Sequence, residues 1–252
     1  KLSLQAGYSR RIYRPRLWEL NPFFNIRNNF NIRMGNPDLR PEYSDSYEIA
    51  AIYNINGLSL NINFYELFTN NEIEYITRLQ DNVSIRIPEN LGIRKANGIE
   101  INGKIDFSKK IILNTDFNFN RFSRKAKWKN QSFDFVGNRW RSEFTSKIKL
   151  PKSLDLEFTF NYQSGFKTID GNRGPSRNIN FGARKKIIDG RGVINLMIRD
   201  IFATRVFESR AIRNNFLVSN WSTSGTFFSL GFSYGFGKGE AMEYQSKGGR
   251  RR

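Results

Sequence analysis

Two stretches of this chain alternate so strictly between apolar and polar side chains that they need a sheet with one greasy face and one wet face. In the first, Ile111, Leu113, Thr115, Phe117 and Phe119 alternate with Asn114, Asp116, Asn118 and Asn120. In the second, Phe228, Leu230, Phe232, Tyr234 and Phe236 alternate with Ser229, Gly231, Ser233 and Gly235. A period of two marks a strand, because successive side chains point to opposite faces of the sheet. In water the apolar face would be a large exposed aromatic patch, which soluble proteins avoid. In hydrocarbon it is at ease, and the polar face then lines a lumen.

The same pattern recurs along the chain. Leu2, Leu4, Ala6 and Tyr8 oppose Ser3, Gln5, Gly7 and Ser9. Tyr47, Ile49, Ala51 and Tyr53 oppose Glu48 and Ala50, and the turn of residues 54–57 leads to Leu58, Leu60, Ile62 and Phe64 opposite Ser59, Asn61, Asn63 and Tyr65. Further strands are predicted over residues 96–107, 138–150, 176–187 and 193–202. In residues 153–163, Leu154, Leu156, Phe158, Phe160 and Tyr162 face one way and Asp155, Glu157, Thr159 and Asn161 the other. A strand of roughly nine to eleven residues crosses a bilayer when tilted, so each is long enough.

The connections also alternate. Short turns at residues 54–57, 108–110, 151–152 and 189–192 follow the second, fourth, sixth and eighth strands, and long loops follow the odd ones. Short turns at one end and long loops at the other characterise membrane barrels. The loop of residues 14–43 is long and aromatic, with Trp18, Phe23, Phe24 and Phe30, and carries no helix signal. Residues 73–79 and 83–88, separated by Gln80-Asp81-Asn82, predict a hairpin projecting beyond the membrane. The expectation is an all-β, transmembrane, antiparallel up-and-down barrel wall of about ten strands. Since no backbone polar group can stay unpaired in hydrocarbon, these strands either close on themselves or continue into further strands.

Composition narrows the function. Mean hydropathy is −0.57, and no apolar run of about 18 residues exists to form a membrane helix. The net charge of +18 raises nucleic-acid binding. The charges are nevertheless scattered through loops and alternate positions, with no recognition helix, zinc-finger spacing or RNA-binding signature. Arg139, Arg141, Lys147 and Lys149 share one strand face, read as a wet wall rather than a ligand site, and Asp155 and Glu157 likewise line the lumen. Without His or Cys there is no metal-site spacing, and Gly190-Arg191-Gly192 is a turn with no helix behind it to cradle phosphate. No cofactor is expected.

Residues 35–53, GNPDLRPEYSDSYEIAAIY, hand a proline-punctuated loop over to a strand. Pro37 and Pro41 fix φ and lack a donor, so this loop can be neither interior strand nor helix. Asn36, Pro37, Leu39, Pro41, Glu42, Tyr47 and Glu48 resemble the NPxLxPE…YE segment of TonB-dependent outer-membrane receptors. Ser229, Gly231, Tyr234 and Phe236 resemble the terminal signal that the barrel assembly machinery reads, although residues 237–252 continue beyond it.

The resemblance implies a plug, a TonB box and a barrel of about twenty-two strands, of which this chain resembles the last ten. With no initiator Met and no signal core at its start, the chain is expected to be the C-terminal part of a longer precursor. The expected organisation is a barrel portion over residues 1–236 and a basic periplasmic tail over residues 237–252. The implied function is a segment of an outer-membrane receptor importing a bulky nutrient of the siderophore, cobalamin, glycan or peptide class. Implied partners are outer-membrane lipid, the assembly machinery, and TonB and the plug through the N-terminal part, with a surface lipoprotein as a further candidate and no nucleic acid. The motif loop is expected to be structural rather than ligand-contacting, with Glu42 accepting hydrogen bonds or pairing with an Arg at the rim. Two other readings stay open: a small self-contained barrel acting as passive pore or surface binder, and a soluble basic β protein binding polyanions. Outer-membrane barrel enzymes of the lipase, acyltransferase and protease types need a histidine base, which this chain lacks.

Overall fold

The computed structural model describes residues 1–23, 25–28, 30–128, 131–213 and 216–237; Phe24 and the expected tail beyond Gly237 lie outside the described residues. The elements run β1 (Leu2–Tyr13), a one-turn α1 (Leu17–Leu20), β2 (Asn25–Asn28), β3 (Asn31–Arg33), β4 (Glu42–Ile55), β5 (Leu58–Asn70), β6 (Ile73–Gln80) and β7 (Val83–Asn90). They continue with β8 (Ile93–Asp106), β9 (Ile111–Lys125), β10 (Lys127–Trp128), β11 (Gln131–Ser132), β12 (Phe135–Leu150), β13 (Leu154–Gln163), β14 (Phe166–Thr168) and β15 (Gly171–Arg173). The last are β16 (Ser176–Ile187), β17 (Gly192–Arg199), β18 (Val206–Arg213), β19 (Phe216–Thr223) and β20 (Phe227–Tyr234).

Ten strands form one antiparallel meander in the order β1-β4-β5-β8-β9-β12-β13-β16-β17-β20. The expected parity holds, with short turns after β4, β8, β12 and β16, and all smaller elements in the long loops. Register keeps the two faces distinct across the sheet. Phe144 opposes Phe160, Phe158 opposes Phe181, and Thr145 opposes Thr159 on the other side. One face therefore exposes Leu4 at 75%, Phe228 at 67% and Leu230 at 75%. The other is knitted by polar side chains: Tyr65 bonds Asn118, Ser44 lies 3.0 Å from Thr69, and Lys147 pairs with Glu157 at 3.2 Å. Among the described residues, β1 and β20 have no strand partner on their outer edges.

The long loops are more ordered than their sequence suggests. The predicted hairpin forms as β6–β7, with Asp81 and Asn82 both at positive φ, as a two-residue turn requires. It does not project freely. β7 pairs in parallel with β3, Ile76 is fully buried, and Glu72 and Glu74 bond Arg124 of the sheet. Gly92 (φ 70) brings the hairpin's exit so close to the Lys125 carbonyl that a Cβ would collide with it. The helical turn α1 arises where no helix was expected because the Glu19 carboxylate accepts from the Arg16 backbone N–H at 2.8 Å. Residues 164–175 and 200–226 hold β14–β15 and β18–β19, which join in a four-stranded sheet. The final strand stops at Tyr234, short of Phe236, because its partner β17 begins at Gly192. Gly235 N–H still donates to the Arg191 carbonyl at 2.8 Å, and Phe236 is exposed beyond it.

Candidate functional site

β8, β9 and β12 have 14, 15 and 16 residues, more than the nine to eleven that cross a bilayer. In their surplus turns the polar face changes from Asn and Asp to arginine. Arg94 and Arg124 are register partners, and Arg139 lies beside Asn120. Over these residues the hairpins β6–β7, β14–β15 and β18–β19 close a cavity of about 660 Å³. Its lining carries Arg33, Arg86, Arg94, Arg124, Arg139, Lys167, Arg173 and Arg210 against Glu74, Asp170 and Glu208, with Tyr75, Phe122, Phe166, Phe207 and Trp221 between them.

Part of this charge is internally compensated. Arg124 bonds Glu74 and lies 3.0 Å from Glu72, Arg94 is 3.7 Å from Glu72, and Arg210 is 2.7 Å from Glu208. Burial holds the Glu72 carboxyl above its ordinary pKa, and the two guanidinium groups only partly oppose the shift. Arg86, Arg139 and Arg173 form no salt bridge among the described residues. Arg86 stacks over Tyr75 at 4.4 Å, and Arg139 over Phe166 at 4.5 Å while donating to Gln163 at 2.8 Å. Burial, then the charges of Arg173 and Arg33, pull the Arg86 guanidinium below its ordinary pKa. Tyr75 donates to the buried Glu19 at 2.9 Å, and burial first, then this bond, raises its hydroxyl. The roof is tied across loops where Asp170 Oδ2 accepts from the Thr77 N–H and hydroxyl at 2.9 and 2.7 Å.

The motif residues lie beside this roof. Asn36 Oδ1 accepts from Asp38 N–H at 3.0 Å, and Asn36 Nδ2 donates to the Pro88 carbonyl at 3.2 Å and to Glu89 at 3.1 Å. Leu39 is buried, and Glu42 Oε1 accepts from Ile73 N–H at 2.5 Å. Pro37, with Asn36 and Arg40, borders a shallower depression on the other side of the β7 strand. Pro41 precedes Glu42, the first residue of β4. Tyr47 is on the apolar face against Tyr8 at 5.2 Å, whereas Glu48 is on the polar face, accepting from Ser46 at 2.8 Å. The structure thus ties Asn36 and Glu42 to the β6–β7 hairpin, buries Leu39, and leaves Tyr47 and Glu48 in the wall. Ser229, Gly231 and Tyr234 lie in β20, and the Phe236 ring packs on Tyr234 at 4.9 Å. Of the expected wet wall, Lys147 pairs with Glu157 as such a wall would, but Arg139 belongs to the cavity. Sequence reasoning missed the cavity arginines; their signal was the basic residues clustered on the polar face at the long-loop ends of the strands.

The model of the outer membrane protein beta-barrel family matches residues 1–234. The chain belongs to that family. Its apolar face is accordingly the lipid-facing surface of an antiparallel barrel wall in the outer membrane, and its polar face looks into the lumen. No curated protein matches the chain. Among solved structures, it is similar to the siderophore receptor PirA from Pseudomonas aeruginosa, with TM-score 0.59, 13% identity, and 92% of this chain and 39% of that one covered. The ferric yersiniabactin uptake receptor FyuA from Yersinia pestis gives TM-score 0.60 at 13% identity, covering 92% and 34%. The copper transporter OprC gives 0.61 at 11%, covering 92% and 37%. At such identities the likeness is one of fold. The barrel segment spans less than two fifths of the length of each of these proteins, all of which are named as receptors or transporters and none as an enzyme.

Proposed function

We propose that this segment is the C-terminal wall and loop cap of a TonB-dependent receptor, and that the cavity under its cap receives a bulky anionic nutrient of the siderophore class. The observation that carries this reading is the cavity itself. Arg86, Arg139 and Arg173 bring positive charge without salt-bridged carboxylates among the described residues, and aromatic rings lie between them. Planar guanidinium groups and rings suit a ligand that combines anionic oxygens with flat groups. The names of PirA and FyuA agree with that class. The unpartnered edges of β1 and β20 favour a place in a larger, plugged barrel over a small closed pore. TonB and the plug would act through the N-terminal part of the parent protein, and a surface lipoprotein could sit on the cap.

On this reading the long loops face the exterior, and the short turns and the end of β20 face the periplasm. Ser229, Gly231, Tyr234 and Phe236 would present the segment read by the barrel assembly machinery, and residues 237–252 would be a basic periplasmic extension of the barrel portion, residues 1–236. The motif loop would act structurally, fixing the β6–β7 hairpin to the rim through Asn36 and Glu42. The test is uptake of iron-loaded siderophores by cells making the whole parent protein, with and without a proton-motive force. Uptake that collapses on de-energising the cells, and that Arg86→Ala with Arg139→Ala reduces at least tenfold, is expected. Uptake indifferent to energy would show a passive pore.

A further inference from the structure

The lipid-facing surface concentrates its charge at one end. Along β9 the outward positions run Leu113, Thr115, Phe117 and Phe119, and the next outward residues are Arg121, Ser123 and Lys125. On β8, Ile101 and Ile99 give way to Asn97 and Lys95 in the same direction. Lys95 is paired with Ser123 and Asn97 with Arg121, so Arg121 and Lys125 lie on the two diagonals from Lys95. Such diagonal neighbours are about 7–8 Å apart, within reach of long side chains. The collar continues at Arg10, two residues beyond Tyr8, and at Arg177, two residues before Ile179.

All five cations are exposed. Arg10 is shared with Asp45 at 3.8 Å, whereas Lys95, Arg121, Lys125 and Arg177 form no salt bridge among the described residues. Lys95 lies over the Phe68 ring at 5.1 Å, at the upper border of the apolar band. At the short-turn end the corresponding outward positions are Tyr53, Ile105, Leu150, Leu154 and Tyr234, with only Lys185, whose ammonium donates to the Lys152 carbonyl.

Glu66, outward on β5 and exposed, is the register partner of Asn97 and so lies on a diagonal from Lys95, but Lys95, Arg121 and Lys125 outnumber it. Exposed cations in excess directly above an aromatic band sit at headgroup depth, where lipid phosphate can balance the surplus. We infer that Lys95, Arg121 and Lys125 form a binding site for phosphorylated lipid headgroups on the lipid-facing wall, with Arg10 and Arg177 extending it around the rim. The site stands on the strand register alone; only the name of its leaflet, the outer one, rests on the sidedness proposed above. It lies on the opposite face of the sheet from the cavity, so it neither needs nor tests ligand uptake.

The test uses the full-length parent protein in neutral detergent, exchanged into phosphatidylcholine bicelles containing either bis-phosphorylated lipid A or its dephosphorylated form. Bound lipid is counted by native mass spectrometry. Wild-type protein should retain the bis-phosphorylated lipid at least tenfold over the dephosphorylated one, and inorganic phosphate at the same concentration should not displace it. The K95Q/R121Q/K125Q variant should lose that preference, whereas the lumen-side variant K104Q should keep it. Equal retention of the two lipids by wild-type protein would overturn the inference without any variant having to fold. Undiminished preference in the triple variant would overturn it as well, and so would displacement by free phosphate.

Discussion

The wall and the cap of this molecule solve opposite problems. In the wall large hydrophobic side chains such as Leu4, Phe228 and Leu230 are turned outward and exposed, and the polar face points inward. In the cap part of the apolar surface turns inward, and a small core of Ile76, Leu91, Ala126 and Ile169, with Trp128, Phe133 and Phe135 against it, is drawn from four separate stretches of chain. The wall needs no core because lipid takes that role; its ladders satisfy the backbone strand by strand. The cap stands in water, so it must bury apolar surface and neutralise the charges it covers. Each region should therefore break in its own way.

The largest effect should come from Arg124→Ala. That change leaves the buried Glu72 with only Arg94 at 3.7 Å, and loss of one partner of a buried pair costs about 3–5 kcal/mol. Hydrogen exchange should accelerate in β6–β7 while the amides of β12–β13 stay protected. Loss of protection in both would mean that cap and wall unfold together. Next is Phe158→Arg, which should cost about 2–4 kcal/mol in refolding if it sits at mid-bilayer, whereas Thr159→Arg should be tolerated. Equal tolerance would erase the two-faced wall.

A smaller loss should follow Glu42→Ala, since the Ile73 N–H then loses its acceptor, at about 1–3 kcal/mol. Glu42→Gln keeps an acceptor oxygen and should restore most of the folded yield. Unchanged yield in Glu42→Ala combined with lost ligand binding would instead make the motif a contact site. The smallest effect concerns pH. Because burial raises the Glu72 pKa, the folded cap holds a proton that the unfolded chain has released, so this contribution is full below the ordinary value of 4.5 and declines as pH climbs through the raised one. Exchange from β6–β7 should quicken over that rise in wild-type protein and stay flatter in Glu72→Gln.

The wall was legible because a period of two needs no knowledge of partners: once Phe158 and Phe160 are outward, Thr159 is inward. The β6–β7 hairpin was legible too, since Asp81-Asn82 is a turn in its own right. The cap's arrangement was not. Nothing local in Asp170 announces that it will accept from Thr77, and the short strands β14 and β15 lack the length to show alternation. Arg139 shows the same limit at the site. Its face could be read from its neighbours, but whether that face meets water or a roof depended on residues 166–173 folding over it. The end of β20 erred for a related reason, because where the ladder stops is set by Gly192 on the partner strand and not by the aromatic run through Phe236.

The central claim, that a single strand presents lipid on one side and water on the other, can be read directly because the chain has no native cysteine. Single cysteines placed at each of residues 154–161 of the full-length protein, with any cysteine outside residues 1–252 replaced by serine, would be titrated in intact outer membranes with a small membrane-impermeant thiol reagent. The two-faced wall predicts reaction at 155, 157, 159 and 161 and protection at 154, 156, 158 and 160. Uniform reactivity along the strand, or reactivity confined to the other set, would contradict it.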